Sequence, residues 1–176
     1  ENIALAYPDA VAGMVNIGLL HTALDGDPNG PHKPYAPCRL ADLQAKRYDY
    51  WALGHVHEHA ILAAGTAVDG GTIAFPGVLQ GRHAREVGAK GALWVEIDDS
   101  GVSTERLVVD LVRWHVCDVD VSGAVQLDDV TTATKRALEA LVAAADAPLD
   151  DRLLAVRLRL VGRTALHGHL AADRAG

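Results

Sequence analysis

Gly54-His55-Val56-His57 follows directly on the apolar run Tyr50-Trp51-Ala52-Leu53, and His21 closes a second apolar run that starts at Val15. On a strand, two histidines at i and i+2 point to opposite faces. In a loop at the strand's end both imidazoles can turn to one point, and the glycine before them frees the backbone to do so. Neutral imidazoles suit Mn, Fe, Zn or Ni. If the two runs are neighbouring parallel strands, their ends meet at one edge of a sheet, where open α/β sheets build their sites. His21, His55 and His57 are therefore the candidate metal ligands. The competing reading is three ordinary strand-end histidines, since a bare Gly-His-x-His string also arises by chance.

A second group follows Pro76-Gly77: Gln80-Gly81-Arg82-His83, then Arg85 and Glu86. Arg82 and His83 are candidate substrate-binding residues, because a guanidinium forks onto phosphate oxygens. The alternative is a solvated charged loop. His32, His59, His115, His167 and His169 receive no assignment. His167-Gly168-His169 echoes the first pair but follows a polar turn, and a structural role is expected. Arg157 and Arg159 share one face of a strand and read as a solvated face. Trp51, Trp94 and Trp114 read as core or sheet-face residues.

The elements around these residues follow from pattern. Val15–His21 and Tyr50–Leu53 read as buried strands. Between them, residues 25–37 are dense in Gly, Pro, Asp and Asn and read as a loop, and Arg39–Lys46 as a short amphipathic helix. Strands are expected at Ala60–Ala63 and Thr72–Phe75. Gly91–Ile97 and Val102–Val109 flank the turn Asp98-Asp99-Ser100-Gly101 and read as a hairpin. Arg113–Val121 alternates as a strand. Asp128 or Asp129 would cap a helix over 129–145 with Val130, Ala133, Ala137, Leu138, Leu141 and Val142 at helical spacing, ended by Pro148. A strand follows at Leu154–Val161. The opening residues from Glu1 read as the last turns of a helix already under way, and the record as truncated at both ends.

The chain has 176 residues, 49% hydrophobic and 22% charged, which is ordinary globular composition. A net charge of −7 argues against a stand-alone module that binds nucleic acid through a basic face, though not against a nuclease, whose metal ions supply local positive charge. Cys38 and Cys117 are far apart and form no metal or redox motif, so free thiols and a cytoplasmic location are expected. No membrane span or signal peptide is visible.

His21 and Gly54-His55-Val56-His57, in that order, resemble the last two of the five blocks of the calcineurin-like metallophosphoesterases: D-x-H, G-D-x-x-D/H, G-N-H-D/E, a lone histidine after a strand, and G-H-x-H. Asn16–His21, Pro34–Cys38, Tyr48–His57 and Phe75–His83 look like the SbcD/YhaO-type DNA-repair exonuclease branch. The likeness runs to about residue 120 and more weakly beyond. It implies an α/β (α+β) fold: the C-terminal half of a metallophosphoesterase β-sandwich flanked by helices over residues 1–122, then the start of a small α/β capping domain over 123–176.

The resemblance further implies a two-metal phosphodiesterase with two divalent ions, Mn first among them. His21 and His55 would bind one ion and His57 the other. It implies DNA as substrate and an SMC-like ATPase of the SbcC/YhaN type as partner, and it leaves a homodimer open. The first three blocks, with the bridging carboxylate, the Asn ligand and the leaving-group histidine, are expected upstream of Glu1, since Gly26-Asp27 falls after His21, in the wrong order. No catalytic residue is assigned within the chain. By itself it is expected to bind metal weakly, to show no nuclease activity and to be marginally soluble, because a sheet lacking its first strands exposes an edge. Two alternatives stand beside this: a small-molecule phosphoesterase of the same superfamily, and a non-catalytic interaction module with remnant histidines.

Overall fold

The computed structural model describes residues 2–24, 35–144 and 152–172. Among these residues it is an α+β fold of eight strands in three sheets with few helices, as the resemblance implied. The chain divides into two compact units, residues 1–80 with 90–109, and residues 81–89 with 110–176. The expected boundary at 122–123 falls inside the second.

The first unit is built on a mixed sheet. Its strands are β1 (Ile17–His21), β2 (Tyr50–Gly54), β3 (Ala60–Ala63) and β4 (Thr72–Phe75), in the order β1-β2-β4-β3. β1, β2 and β4 run parallel, and β3 pairs antiparallel with β4. Asn16 sets the start: its amide donates to Asp49 Oδ2 at 2.7 Å, and its carbonyl accepts from Asp49 N at 3.0 Å. That fastening puts Ile17 opposite Tyr50 and, four steps on, His21 opposite Gly54.

The core gathers Leu20, Leu43, Trp51, Leu53, Ile73 and Phe75, each burial contributing roughly 1.5–3 kcal/mol. Tyr48 stacks on Trp51 at 4.8 Å, and Tyr7 meets it edge-on at 5.0 Å. Gly18 is bare because a Cβ there would lie 2.2 Å from the Trp51 ring. The short helix α1 (Leu40–Gln44) starts where Asp42 Oδ2 accepts from Arg39 N at 3.0 Å and Asn2 Nδ2 at 2.7 Å. The Arg39 amide and the Asn2 side chain hold that carboxyl below its usual range. The expected helix at the opening is a 3-10 turn, Ile3–Ala6. β5 (Gly91–Asp98) and β6 (Gly101–Val108) form the expected hairpin, closed through Asp98 Oδ1, which accepts from Ser100 N at 2.7 Å.

The second unit pairs β7 (Val112–Asp120) in parallel with β8 (Leu153–Val161). α2 (Leu127–Ala143) lies between them in sequence and packs on Cys117 and Val119 of β7, and on Val121 just past its end, through Val130, Ala133, Ala137 and Leu141. One expectation is corrected here. The helix begins at Leu127, two residues early, because Asp129 acts from inside the first turn: its Oδ2 accepts from Val125 N at 2.9 Å and Gln126 N at 3.1 Å. Leu138 and Val142 do not join that core; Val142 is half exposed, one step round the helix from Leu141. The helix closes at Ala143, and Pro148 lies outside the described residues. A third helix, α3 (His167–Ala172), was not foreseen.

Asp110 is wholly buried in this unit and takes both Arg113 nitrogens at 2.8 Å, with Arg152 Nε 3.6 Å away. Burial pushes its carboxyl up, but the hydrogen bonds and charges of Arg113 and Arg152 outweigh this and hold it below the usual range.

Candidate functional site

His21 and Gly54 end adjacent parallel strands in register, which brings the two histidine-bearing segments to one edge of the first unit's sheet. The sequence reading credited Gly54 with backbone freedom. Instead the residue with the unusual backbone is His55, at φ +105°. Gly54 matters for space: a Cβ on it would lie 2.9 Å from His21 Nδ1. The glycine makes room for one imidazole, and the strained residue after it turns the other. A non-glycine held in this region costs about 1–3 kcal/mol and persists only where its surroundings impose it.

The result is a ring pair. His21 and His55 meet edge-on, with centroids 5.2 Å apart and planes at 78°. Tyr35 completes the cluster, edge-on to His21 at 5.2 Å and stacked on His55 at 6.1 Å. The chain after β1 places that phenol. Ala23 N donates to Tyr35 O at 2.7 Å, and Thr22 Oγ1 donates to Ala36 O at 2.8 Å, with Ala36 itself at φ +42°. His21 and Tyr35 are open to solvent, while His55 and His57 are half-buried.

His57 lies two residues further along the same loop. That loop runs against Gly77, whose missing Cβ would sit 3.0 Å from His57 O and 3.1 Å from His59 N. His59 carries a buried Nδ1 with no hydrogen-bond partner. Among the described residues, no three His, Cys, Asp or Glu side chains stand together as a group that could hold an ion. The two imidazoles of His21 and His55 are what the fold draws together. They fit a borderline-soft cation as donors but do not complete its shell.

Arg82 and His83 belong to the second unit. Buried Glu86 organises their turn: Glu86 Oε2 accepts from Arg82 N at 2.6 Å, and Oε1 lies 3.7 Å from His83 Nε2. The Arg82 side chain is exposed. His167 and His169 lie on α3, not on a strand-end loop. Arg159 is exposed as expected but paired, holding Asp118 through two bonds of 2.5 and 2.6 Å. His32 and Gly26-Asp27 lie outside the described residues.

Sequence reasoning passed over two contributors to the site. Tyr35 stood only inside a family-like string. Glu58, between His57 and His59, is bonded by buried Lys90 at 2.8 Å. A lysine amid apolar and small neighbours at the root of a hairpin was the one available signal.

Among the described residues no helix is long and apolar enough to cross a membrane. Residues 114–176 match the family model for the middle domain of the metallophosphoesterase YhaO, and this stretch lies wholly within the second unit. Over 124 residues the chain is 36% identical to a Bacillus subtilis (strain 168) protein described as an uncharacterized metallophosphoesterase YhaO. The alignment covers 70% of this chain and 29% of that protein, so the chain spans less than a third of the relative's length. Both matches are to metallophosphoesterases of the YhaO type, and the likeness supports that family for this chain.

Proposed function

We propose that this chain is part of a divalent-metal phosphodiesterase that cleaves DNA, with His21, His55 and His57 as its imidazole ligands. The observation that carries the reading is the His21–His55 ring pair at the ends of two parallel strands, with Gly54 stripped of a side chain to admit it. Divalent ions bound there, two in this reading and Mn first among candidates, would lower the pKa of a bound water and neutralise charge growing on the phosphoester.

The chain's own residues do the holding and the aiming. His21 and His55 present two imidazoles, and the Tyr35 ring packs against both. Exposed Arg82 offers a fork for a phosphate oxygen. A carboxylate able to bridge two ions must come from residues other than those gathered here, which is why the described residues alone are expected to hold metal weakly. DNA repair as the setting and an SMC-like ATPase as partner are proposed on the sequence resemblance.

The test uses the full-length protein with Mn2+. Linear duplex DNA should be cleaved, a generic phosphodiester such as bis-p-nitrophenyl phosphate much less, and His55→Ala should abolish both. Fast turnover of the small ester with intact DNA would replace the nuclease reading by a small-molecule phosphoesterase. A second reading, an interaction module without catalysis, is favoured by the lack of a three-donor group among the described residues. It predicts no Mn2+ binding by the full-length protein.

A further inference from the structure

Lys90 is only 3% exposed along its side chain, and its Nζ lies 2.8 Å from Glu58 Oε1. A buried ammonium needs a partner, and Glu58 supplies it from the middle of the histidine loop, between His57 and His59. The lysine is itself held fast. Its carbonyl accepts from Val109 N at 3.1 Å, and the next residue's amide, Gly91 N, donates to Val78 O at 2.9 Å. Gly91 must be bare there, because a Cβ would lie 1.8 Å from Leu107 O. Lys90 is therefore rooted at the base of the β5–β6 hairpin, and its charged end reaches the loop. Gly77 bears on the backbone of that same loop at His57 and His59.

We propose that Lys90 is a positioning residue: acting through Glu58, it ties the 55–59 loop to the β5–β6 hairpin and fixes where His55 and His57 point. Stability alone does not call for a lysine at this place: the Glu58 side chain is 69% exposed, so water takes up its carboxylate when an apolar residue of similar volume replaces Lys90, and such a half-exposed pair contributes little. A loop that must keep strained His55 turned towards His21 does call for a directional tie. The inference rests on the metal reading above, and its test separates the two.

Lys90→Met keeps the volume and removes the tie. In the metal-free protein, the imidazole 1H–15N correlations of His55 and His57 should shift and broaden, with the melting temperature kept. In the full-length protein, Mn2+ affinity read by electron paramagnetic resonance should fall about tenfold, the lower end for groups that orient a metal's ligands. Lys90→Arg should restore both. If Lys90→Met fails to fold, Glu58→Gln is read the same way. Imidazole signals and Mn2+ affinity that match the parent in a folded variant would overturn the proposal. Shifted imidazole signals in a protein that binds no Mn2+ at all would uphold the tie and sink the metal reading.

Discussion

His55-Val56-His57 and His167-Gly168-His169 share one spacing, and the two units put it to different ends. The first string leaves a parallel strand, carries a residue at φ +105° and brings His55 against His21 at 5.2 Å. The second opens α3, where residues two apart point away from each other round the helix. The glycines differ in the same sense. A Cβ on Gly54 would press on His21 Nδ1, while one on Gly168 would meet nothing within 4 Å. A two-histidine string acquires meaning from the backbone that carries it. Two charged clusters of the second unit tie its own segments together: Asp110 with its two arginines, and Asp118 with Arg159.

The harshest way to test this division is to break the second unit and ask whether the first notices. Asp110→Ala strands two cations beside a buried space. Removing one member of such a pair should destabilise the second unit by roughly 3–5 kcal/mol, read by denaturant melts, with the imidazole signals of His21 and His55 unchanged. The parent carries the corresponding acid sensitivity. The folded carboxyl sits below its unfolded value, so its contribution is complete above about pH 4 and is lost as pH falls through the folded value. Asp110→Asn should flatten the acid limb of the stability–pH curve. An unchanged limb would mean that Asp110 does not carry it.

Next in size is Gly54→Ala. A methyl 2.9 Å from Nδ1 must move the His21 ring or the strand end. Mn2+ affinity of the full-length protein should drop on the order of 10- to 100-fold, as when groups that orient a ligand are lost. Affinity within twofold of the parent would show that the His21–His55 geometry is not what holds the ion.

Much of the scaffold was legible and much of the site was not, for different physical reasons. β3 and β4 could be bounded to the residue because Gly and Pro punctuate them and their side chains are apolar. The parallel pairing of β1 and β2 could be anticipated from two apolar runs that end in histidine. The start of α2 was missed because Asp129 satisfies two amides from the third helical position, and a lone acidic residue does not announce whether it caps or sits within. Leu138 and Val142 have the right period but the wrong phase, and only β7 decides which stripe is buried. Gly54 was singled out for the wrong reason, because a steric need set by His21 is invisible until the strands are in register. Tyr35 reaches the histidines, and Lys90 reaches Glu58 between two of them, through tertiary contacts between segments distant in sequence, and no local pattern encodes such a contact.

The comparison sharpens further at the histidines themselves. His55→Gly and His55→Ala both remove the imidazole, but only glycine accepts φ +105° at no steric cost. His55→Gly should therefore be the more stable of the two by about 1 kcal/mol. On α3 the order should reverse, with His169→Gly less stable than His169→Ala by about 0.5–1 kcal/mol. Equal stabilities at position 55 would mean that the backbone relaxes once the ring is gone.

The smallest effect belongs to Gly168→Ala. The helix offers the new methyl open space, and alanine loses less backbone freedom on folding than glycine. The second unit should gain about 0.5–1 kcal/mol, with Mn2+ affinity unmoved. The same Gly→Ala exchange would then weaken metal binding in one His-x-His string and only stiffen a helix in the other. A loss of Mn2+ affinity on Gly168→Ala would instead bring His167 and His169 into the metal chemistry and dissolve the contrast between the two strings.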